Sequence, residues 1–221
     1  MKEDFFSIAI DGPAGAGKST IAKRVAQELF IEYIDTGSMY RALTLKVLRN
    51  RIDPMNKKKV TELLSNTDID IDNNHIYLDG FNVDDEIREN IISKNATYVA
   101  TIKEVRDVMV TLQQNLAKKK SVIMDGRDIT TVVLPNADFK YFVTASVEVR
   151  SKRRYKELLE KGEANITLEM IMDDIIKRDR NDSSREIAPL KKTSDSLLLD
   201  TTNKSIDECV NIIVSKVKEV I

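Results

Sequence analysis

Apolar positions along this chain change their period several times, and each change predicts an element. Phe5 to Ile10 is a short continuous apolar run, the pattern of a strand buried on both faces. From Ser19 the period lengthens, with Ile21, Val25 and Leu29 at helical spacing and Ala22 and Ala26 beside them. Ile31 to Asp35 predicts a second short strand. It ends in Asp35-Thr36-Gly37-Ser38, a turn suited to cap a helix beginning near Met39. That helix is expected to bury Met39, Leu43 and Val47 and to carry Tyr40 and Arg41 at its start. Lys57 to Asn66 predicts a third, polar helix.

The texture changes at Asp68. Asp68-Ile-Asp-Ile-Asp72 alternates, Asn73-Asn74 is a turn, and Ile76-Tyr77-Leu78 is followed by Asp79-Gly80 and Phe81-Asn82-Val83. Period-two segments separated by turn residues predict a small antiparallel meander. A meander fits poorly inside a parallel core, so residues 36–103 are expected to form an inserted subdomain; the alternative is an edge extension of the main sheet. Helix returns from Asp85, and Val105, Val108, Met109, Leu112 and Leu116 form an apolar stripe. Ser121 to Met124 predicts a buried strand ending in Asp125-Gly126-Arg127-Asp128, and Phe139 to Thr144 the next strand. A helix from about Ser146 carries Arg150, Lys152, Arg153 and Arg154 and breaks at Lys161-Gly162. A second runs from Thr167 towards Arg185. Leu197 to Asp200 predicts the last strand, and the closing helix buries Ile206, Val210, Ile213 and Val217. Strands alternating with helices imply a mostly parallel sheet with helices on both faces.

Between the first strand and the first helix lies Gly12-Pro13-Ala14-Gly15-Ala16-Gly17-Lys18-Ser19-Thr20, a glycine, four residues, then Gly-Lys-Ser. Strand, glycine loop and helix together make a phosphate cradle. The glycines let consecutive N–H groups converge on phosphate oxygens, and the helix start adds unpaired N–H groups with partial positive charge. Lys18 would reach the terminal phosphates of a nucleoside triphosphate and Ser19 would ligate Mg²⁺.

Composition narrows the partners. Across 221 residues, 35 Lys and Arg nearly cancel 36 Asp and Glu, so no general field draws in nucleic acid or a membrane surface. One cysteine, Cys209, excludes internal disulfides and suits a reducing compartment, and one histidine, His75, leaves no histidine-rich metal site. With Lys2, Glu3 and Asp4 ahead of the first strand no signal peptide is expected, and no apolar run approaches membrane-spanning length. The expected compartment is the cytoplasm, and nothing calls for more than a monomer.

A switch GTPase is disfavoured. None of the seven glycines follows an Asp at three residues' distance, and in Asn203-Lys204-Ser205-Ile206 an isoleucine stands where guanine recognition needs Asp. What remains is a set of arginines and aspartates at strand and helix ends, around the edge of the sheet where α/β folds bind ligands. Arg41, Arg127, Arg178 and Arg185 carry permanent charge and planar forks that match phosphate. Arg178, Asp182 and Arg185, at i, i+4 and i+7, are expected on one helical face.

These motifs, in this order, resemble the bacterial cytidylate kinases, which pass phosphate from ATP to CMP or dCMP. The resemblance spans essentially the whole chain. It rests on Gly12 to Thr20, Asp35-Thr-Gly-Ser-Met-Tyr-Arg41, Asp125-Gly-Arg-Asp128 followed by Val132-Val-Leu-Pro135, Arg153-Arg-Tyr155 and Arg185-Glu-Ile-Ala-Pro-Leu190. It implies an α/β fold: a P-loop NTPase-type parallel sheet flanked by helices, with a nucleoside-monophosphate-binding insert (about 36–103) and a helical lid (about 151–185) on a core of about 1–35, 104–150 and 186–221. It also implies that Arg41 and Arg127 hold the acceptor phosphate, with Thr36, Tyr40 and Gly126 in the same site. Asp128 and Arg106, with Thr97, would face the cytosine; Arg178, Asp182 and Arg185 would face sugar and phosphates. A carboxylate at Asp128 suits cytosine, whose N4 amino group donates where uracil presents an acceptor. Lid cations are sought among Arg150, Lys152, Arg153 and Arg154, with Arg154 first; the bland alternative is a basic face in solvent. Asp125 would partner Mg²⁺ through water or simply cap a turn. One departure stands out: the family usually has Gly two residues after Asp128, and this chain has Thr130. The same site would also suit a kinase for another acceptor such as UMP, or a regulatory protein that binds ATP without transferring phosphate.

Overall fold

The computed structural model describes residues 5–72 and 75–221, so Lys2 to Asp4 and the expected turn at Asn73-Asn74 lie outside the described residues. In chain order the elements are β1 (Ser7–Asp11), α1 (Lys18–Leu29), β2 (Glu32–Asp35), α2 (Thr36–Arg49), α3 (Lys57–Leu64), β3 (Ile69–Asp72), β4 (His75–Leu78) and β5 (Phe81–Asn82). After a 3-10 turn at Glu86–Arg88 come α4 (Asn90–Val99), α5 (Lys103–Ala117), β6 (Val122–Gly126), a π-type turn at Ile129–Val133 and β7 (Phe139–Thr144). The chain closes with α6 (Val147–Glu160), α7 (Leu168–Ser184), β8 (Leu197–Asp200) and α8 (Ile206–Lys218).

Five strands form a parallel sheet in the order β2-β6-β1-β7-β8, flanked by helices. The chain forms two compact units, Glu32–Val122 and Phe6–Ile31 with Ile123–Ile221. In the second unit, β1 runs parallel to β7 with Asp11 opposite Phe142, and β7 runs parallel to β8. Ile8, Ala9, Ile10, Ile123 and Met124 are wholly buried, as expected of strands covered on both faces. Helix α1 packs on α8, and α6 packs on α7 through Leu158, Ile171 and Ile175. In the first unit, β3, β4 and β5 form the expected antiparallel meander, with Ile71 opposite Ile76 and Leu78 opposite Phe81. Helix α2 packs on α3, α4, α5 and the meander.

Caps explain most helix starts. Ser146, Thr167 and Ser205 accept bonds from the third N–H of α6, α7 and α8, and Glu208 completes a capping box at Ser205. Helix α2 starts earlier than the sequence suggests. Asp35 accepts from the Ser38 N–H, so the expected turn at Thr36–Ser38 is already the first turn of the helix.

Two apolar faces are also redrawn. On α5, Val105 and Met109 are buried, but Val108 is 41% exposed and Leu112 and Leu116 only half-buried. Arg106 and Gln113 take the buried side instead, because α5 packs against both α2 and α3 and both polar groups find partners. The Gln113 amide meets Met39 Sδ at 3.5 Å, and Arg106 donates to the Ala100 carbonyl. On α8, Val210, Ile213 and Val217 are buried together with Cys209, while Ile206 in the first turn is half-buried. No helix among the described residues is long and apolar enough to cross a membrane.

Candidate active site

The second unit assembles most of the predicted residues around the loop from Gly12 to Thr20. Gly12 has φ 149°, and a Cβ there would lie 1.9 Å from the Val143 carbonyl oxygen, so only glycine lets the loop leave β1 against β7. Gly15, at φ 74°, packs on Arg150, whose Cβ would lie 3.2 Å from an added side chain. Pro13 and Ala16 are buried, and Ala14 is half-buried. Gly17 caps α1 in the left-handed conformation with no side-chain bond, and no acid occupies the first turn of α1. Thr20, at that helix start, is exposed.

Lys18 is buried and donates to the Pro13 carbonyl oxygen at 2.8 Å. Burial and the nearby Arg127 charge push its ammonium down to about 7. Ser19 Oγ donates to Asp125 Oδ2 at 2.9 Å. The buried strand β6 thus delivers an acid to the start of α1. Two residues further, Arg127 Nε binds Asp182 Oδ2 at 2.7 Å, and its Nη1 donates to the Gly126 carbonyl oxygen. Burial pushes the Asp182 carboxyl up, but the Arg127, Arg178 and Arg185 charges outweigh it and hold it below its usual value. Arg178 acts electrostatically on both Lys18 and Asp182.

Asp128 is buried, and Arg185 Nη2 approaches its Oδ1 at 3.4 Å. The expectation that Arg178, Asp182 and Arg185 share a helical face holds only in part. Helix α7 ends at Ser184, and Arg185 follows as its C-cap with extended backbone, turning off the helix. It reaches Asp128 from the departing chain.

The basic residues of α6 divide. Arg150 is buried: Nε donates to the Ala145 carbonyl, Nη1 to the Ala14 carbonyl at 3.1 Å, and Nη2 pairs with Asp179 at 2.7 Å. It is a strut between the phosphate loop and α7, so neither a free cation nor a solvated face describes it. Arg153 donates to the Thr201 hydroxyl and carbonyl, and Thr201 donates to the Ala16 carbonyl. Arg154 is half-buried and pairs with Glu157 one turn on, while Lys152 is exposed.

The first unit holds the rest. Thr36 is buried at the start of α2, Tyr40 is half-buried, and Arg41 pairs with Asp35 at 2.8 Å. Burial pushes the Asp35 carboxyl up, but Arg41 overrides it and holds the group below its usual value. Thr97 is half-buried on α4 and donates its hydroxyl to the Lys94 carbonyl of its own helix. Arg106 is buried on α5.

The family model for cytidylate kinase matches residues 8–219. The chain belongs to the cytidylate kinase family. Cytidylate kinase of Clostridioides difficile is 55% identical over 210 residues, spanning 95% of this chain and 97% of that one. Cytidylate kinase of Alkaliphilus oremlandii is 52% identical over 217 residues, 98% of this chain and all of that one. Among solved structures, an uncharacterized protein from Eubacterium ventriosum superposes with TM-score 0.53 at 12% identity, covering 97% of this chain and 98% of its own. A gluconokinase from Sinorhizobium meliloti superposes with TM-score 0.51 at 10% identity, covering 97% and 93%. These two similarities concern the fold.

Against the cytidylate kinase pattern, Thr130 needs no glycine-like backbone. It lies outside the left-handed region, in the π-type turn, and is buried. Its N–H and hydroxyl both donate to Asp11 at the end of β1. Asp11, Thr201 and the strut role of Arg150 escaped the sequence reading. The available signal at Asp11 was an acid closing an apolar strand immediately before Gly12.

Proposed function

We propose that this kinase transfers the γ-phosphate of ATP to CMP or dCMP, with the triphosphate held by the loop from Gly12 to Thr20. One observation carries the reading: one continuous stretch, from the end of β6 into the loop after it, would serve both sides of the reaction. Its Asp125 holds Ser19 of the phosphate cradle, and Arg127 and Asp128 follow at once, held by Asp182 and Arg185. In this reading Gly12 to Thr20 bind the triphosphate, Arg127 and Arg41 take the acceptor phosphate, and Asp128 and Arg106, with Thr97, read the base. Arg178, Asp182 and Arg185 take sugar and phosphates; Thr36, Tyr40 and Gly126 are assigned further acceptor contacts in the same reading. Residues 36–103 form the acceptor-binding insert and 151–185 the lid, where Arg154 is the first choice to meet the moving phosphoryl group.

Ser19 and Asp125 fit Mg²⁺, a hard cation that takes one or two carboxylates together with substrate phosphates. No group of three or more His, Cys, Asp or Glu among the described residues could hold a metal by itself. Bound there, Mg²⁺ would neutralise phosphate charge. The protein's own part is alignment. The attacking acceptor oxygen is already ionised at neutral pH, so no general base is needed; Lys18 and Arg127 hold the two phosphates in line and stabilise charge as it moves.

The test is ADP formation from Mg-ATP with CMP, dCMP, UMP, AMP and GMP offered separately. Turnover with CMP and dCMP alone supports the whole reading. Comparable turnover with UMP keeps the kinase and discards Asp128 as the base reader. No ADP with any acceptor would leave only nucleotide binding.

A further inference from the structure

The buried carboxylate of Asp11 has no part in the reaction as described, yet it gathers three hydrogen bonds from two successive residues. Ile129 N–H donates to Oδ1 at 2.8 Å, Thr130 N–H to Oδ2 at 2.8 Å, and Thr130 Oγ1 to Oδ2 at 2.6 Å. Asp11 is wholly buried and stands on a rigid post: its strand pairs with β7 at Phe142, and the next residue, Gly12, is pressed against the Val143 carbonyl. The residues it holds come directly after Asp128. The Asp128 carbonyl in turn accepts from the N–H groups of Val132 and Val133, at 2.9 and 3.2 Å. Asp128 itself has φ −147° and ψ 25°, neither strand nor helix, so its direction depends on what fixes the peptides around it.

We propose that Asp11 and Thr130 are positioning residues for base selection, the Thr130 hydroxyl and two backbone N–H groups together setting where Asp128 meets the acceptor base. The inference rests on the reading of Asp128 as the group that recognises cytosine. Two backbone donors alone would tie the loop to β1, and the Thr130 hydroxyl adds a third, charge-assisted bond. Burial pushes the Asp11 carboxyl up, and the nearby Asp128 charge adds to this. A third donor therefore matters to keeping Asp11 ionised and the loop fastened.

The test compares Thr130→Val, which replaces the hydroxyl by a methyl of similar size, Thr130→Ala and Thr130→Ser. Steady-state constants are measured for ATP, CMP and UMP, with circular dichroism to confirm folding. Losing one bond to a charged acceptor predicts about a tenfold fall in the CMP-over-UMP ratio of kcat/KM, carried mainly by a higher KM for CMP. The KM for ATP should stay within about twofold, because the loop from Gly12 to Thr20 keeps its own contacts. Thr130→Ser, which retains the donor, should restore the ratio. Should the Val variant fail to fold, the Ala and Ser pair makes the same comparison. A ratio unchanged in both Val and Ala variants, beside a discriminating wild type, overturns the proposal alone. So does a parallel loss for ATP and CMP, which would mean general loosening. A wild type that uses UMP as readily as CMP overturns the reading of Asp128 itself, and this inference with it.

Discussion

Replacing Asp182 with asparagine keeps the shape of its contact with Arg127 and removes one charge. The pair is close, at 2.7 Å, and its side chains are only 18% and 12% exposed. Unit charges about 4 Å apart attract by about 4 kcal/mol at an effective dielectric near 20. Removing one member of a buried pair costs about 3–5 kcal/mol, because the other charge is left without compensation. Two features reduce that figure. The amide introduced by Asp182→Asn would still accept one bond from the guanidinium, and Asp125 and Asp11 also act on the Arg127 charge. A loss of about 2–3 kcal/mol remains, which for a chain of this size lowers Tm by roughly 4–12 °C. Arg127 would also lose the carboxylate that aims it, so KM for CMP should rise at least about tenfold while KM for ATP moves little. Thermal melts and initial rates at varied CMP and ATP measure both effects. If Tm falls and KM for CMP stays within about twofold, Asp182 is a counter-ion with no role in the acceptor site. If neither changes, the pair does not exist in solution as the structure describes it.

The Asp128→Ala variant should lose most CMP turnover and most preference over UMP, a ratio that polar sites of this kind can raise to about 10⁴; unchanged discrimination in paired CMP and UMP assays would remove Asp128 from base recognition. Gly12→Ala would drive a Cβ to 1.9 Å from the Val143 carbonyl at φ 149°. Soluble yield and Tm should therefore collapse, and a well-folded variant would show that this loop is freer than the structure implies. On α5, Met109→Ala should cost about 2–5 kcal/mol in urea melts and Val108→Ser no more than about 0.5, and equal costs would restore the stripe expected from sequence. Asp182 has a folded-state pKa held below the unfolded value, so its contribution is present above about pH 4 and is lost as pH falls through the folded value. Wild type minus Asp182→Asn stability should therefore shrink below about pH 4, and a difference constant from about pH 7 to about pH 3 would contradict the depressed carboxyl.

Much of this molecule was legible in its amino-acid sequence because much of it is local. The strand ahead of Gly12, the helix after Lys18, the meander and the caps at Ser146 and Thr167 follow from periods and short-range hydrogen bonds, all contained within a few residues. The glycine loop from Gly12 to Thr20, the candidate phosphate cradle, is likewise one contiguous stretch. Family motifs pointed to candidate acceptor residues one by one. The tertiary structure alone decided which of them meet. Arg127 and Asp182 are 55 positions apart, Asp11 and Thr130 are 119 apart, and nothing in either neighbourhood specifies the pairing. Burial forces the choice: an ionised group taken out of water requires a partner, and the partner is whichever segment packing brings alongside. The same rule turned Arg150 from a candidate lid cation into a strut and moved the inner face of α5 from Val108 to Arg106 and Gln113. Periodicity names the residues that can be buried; neighbouring elements determine which of them are.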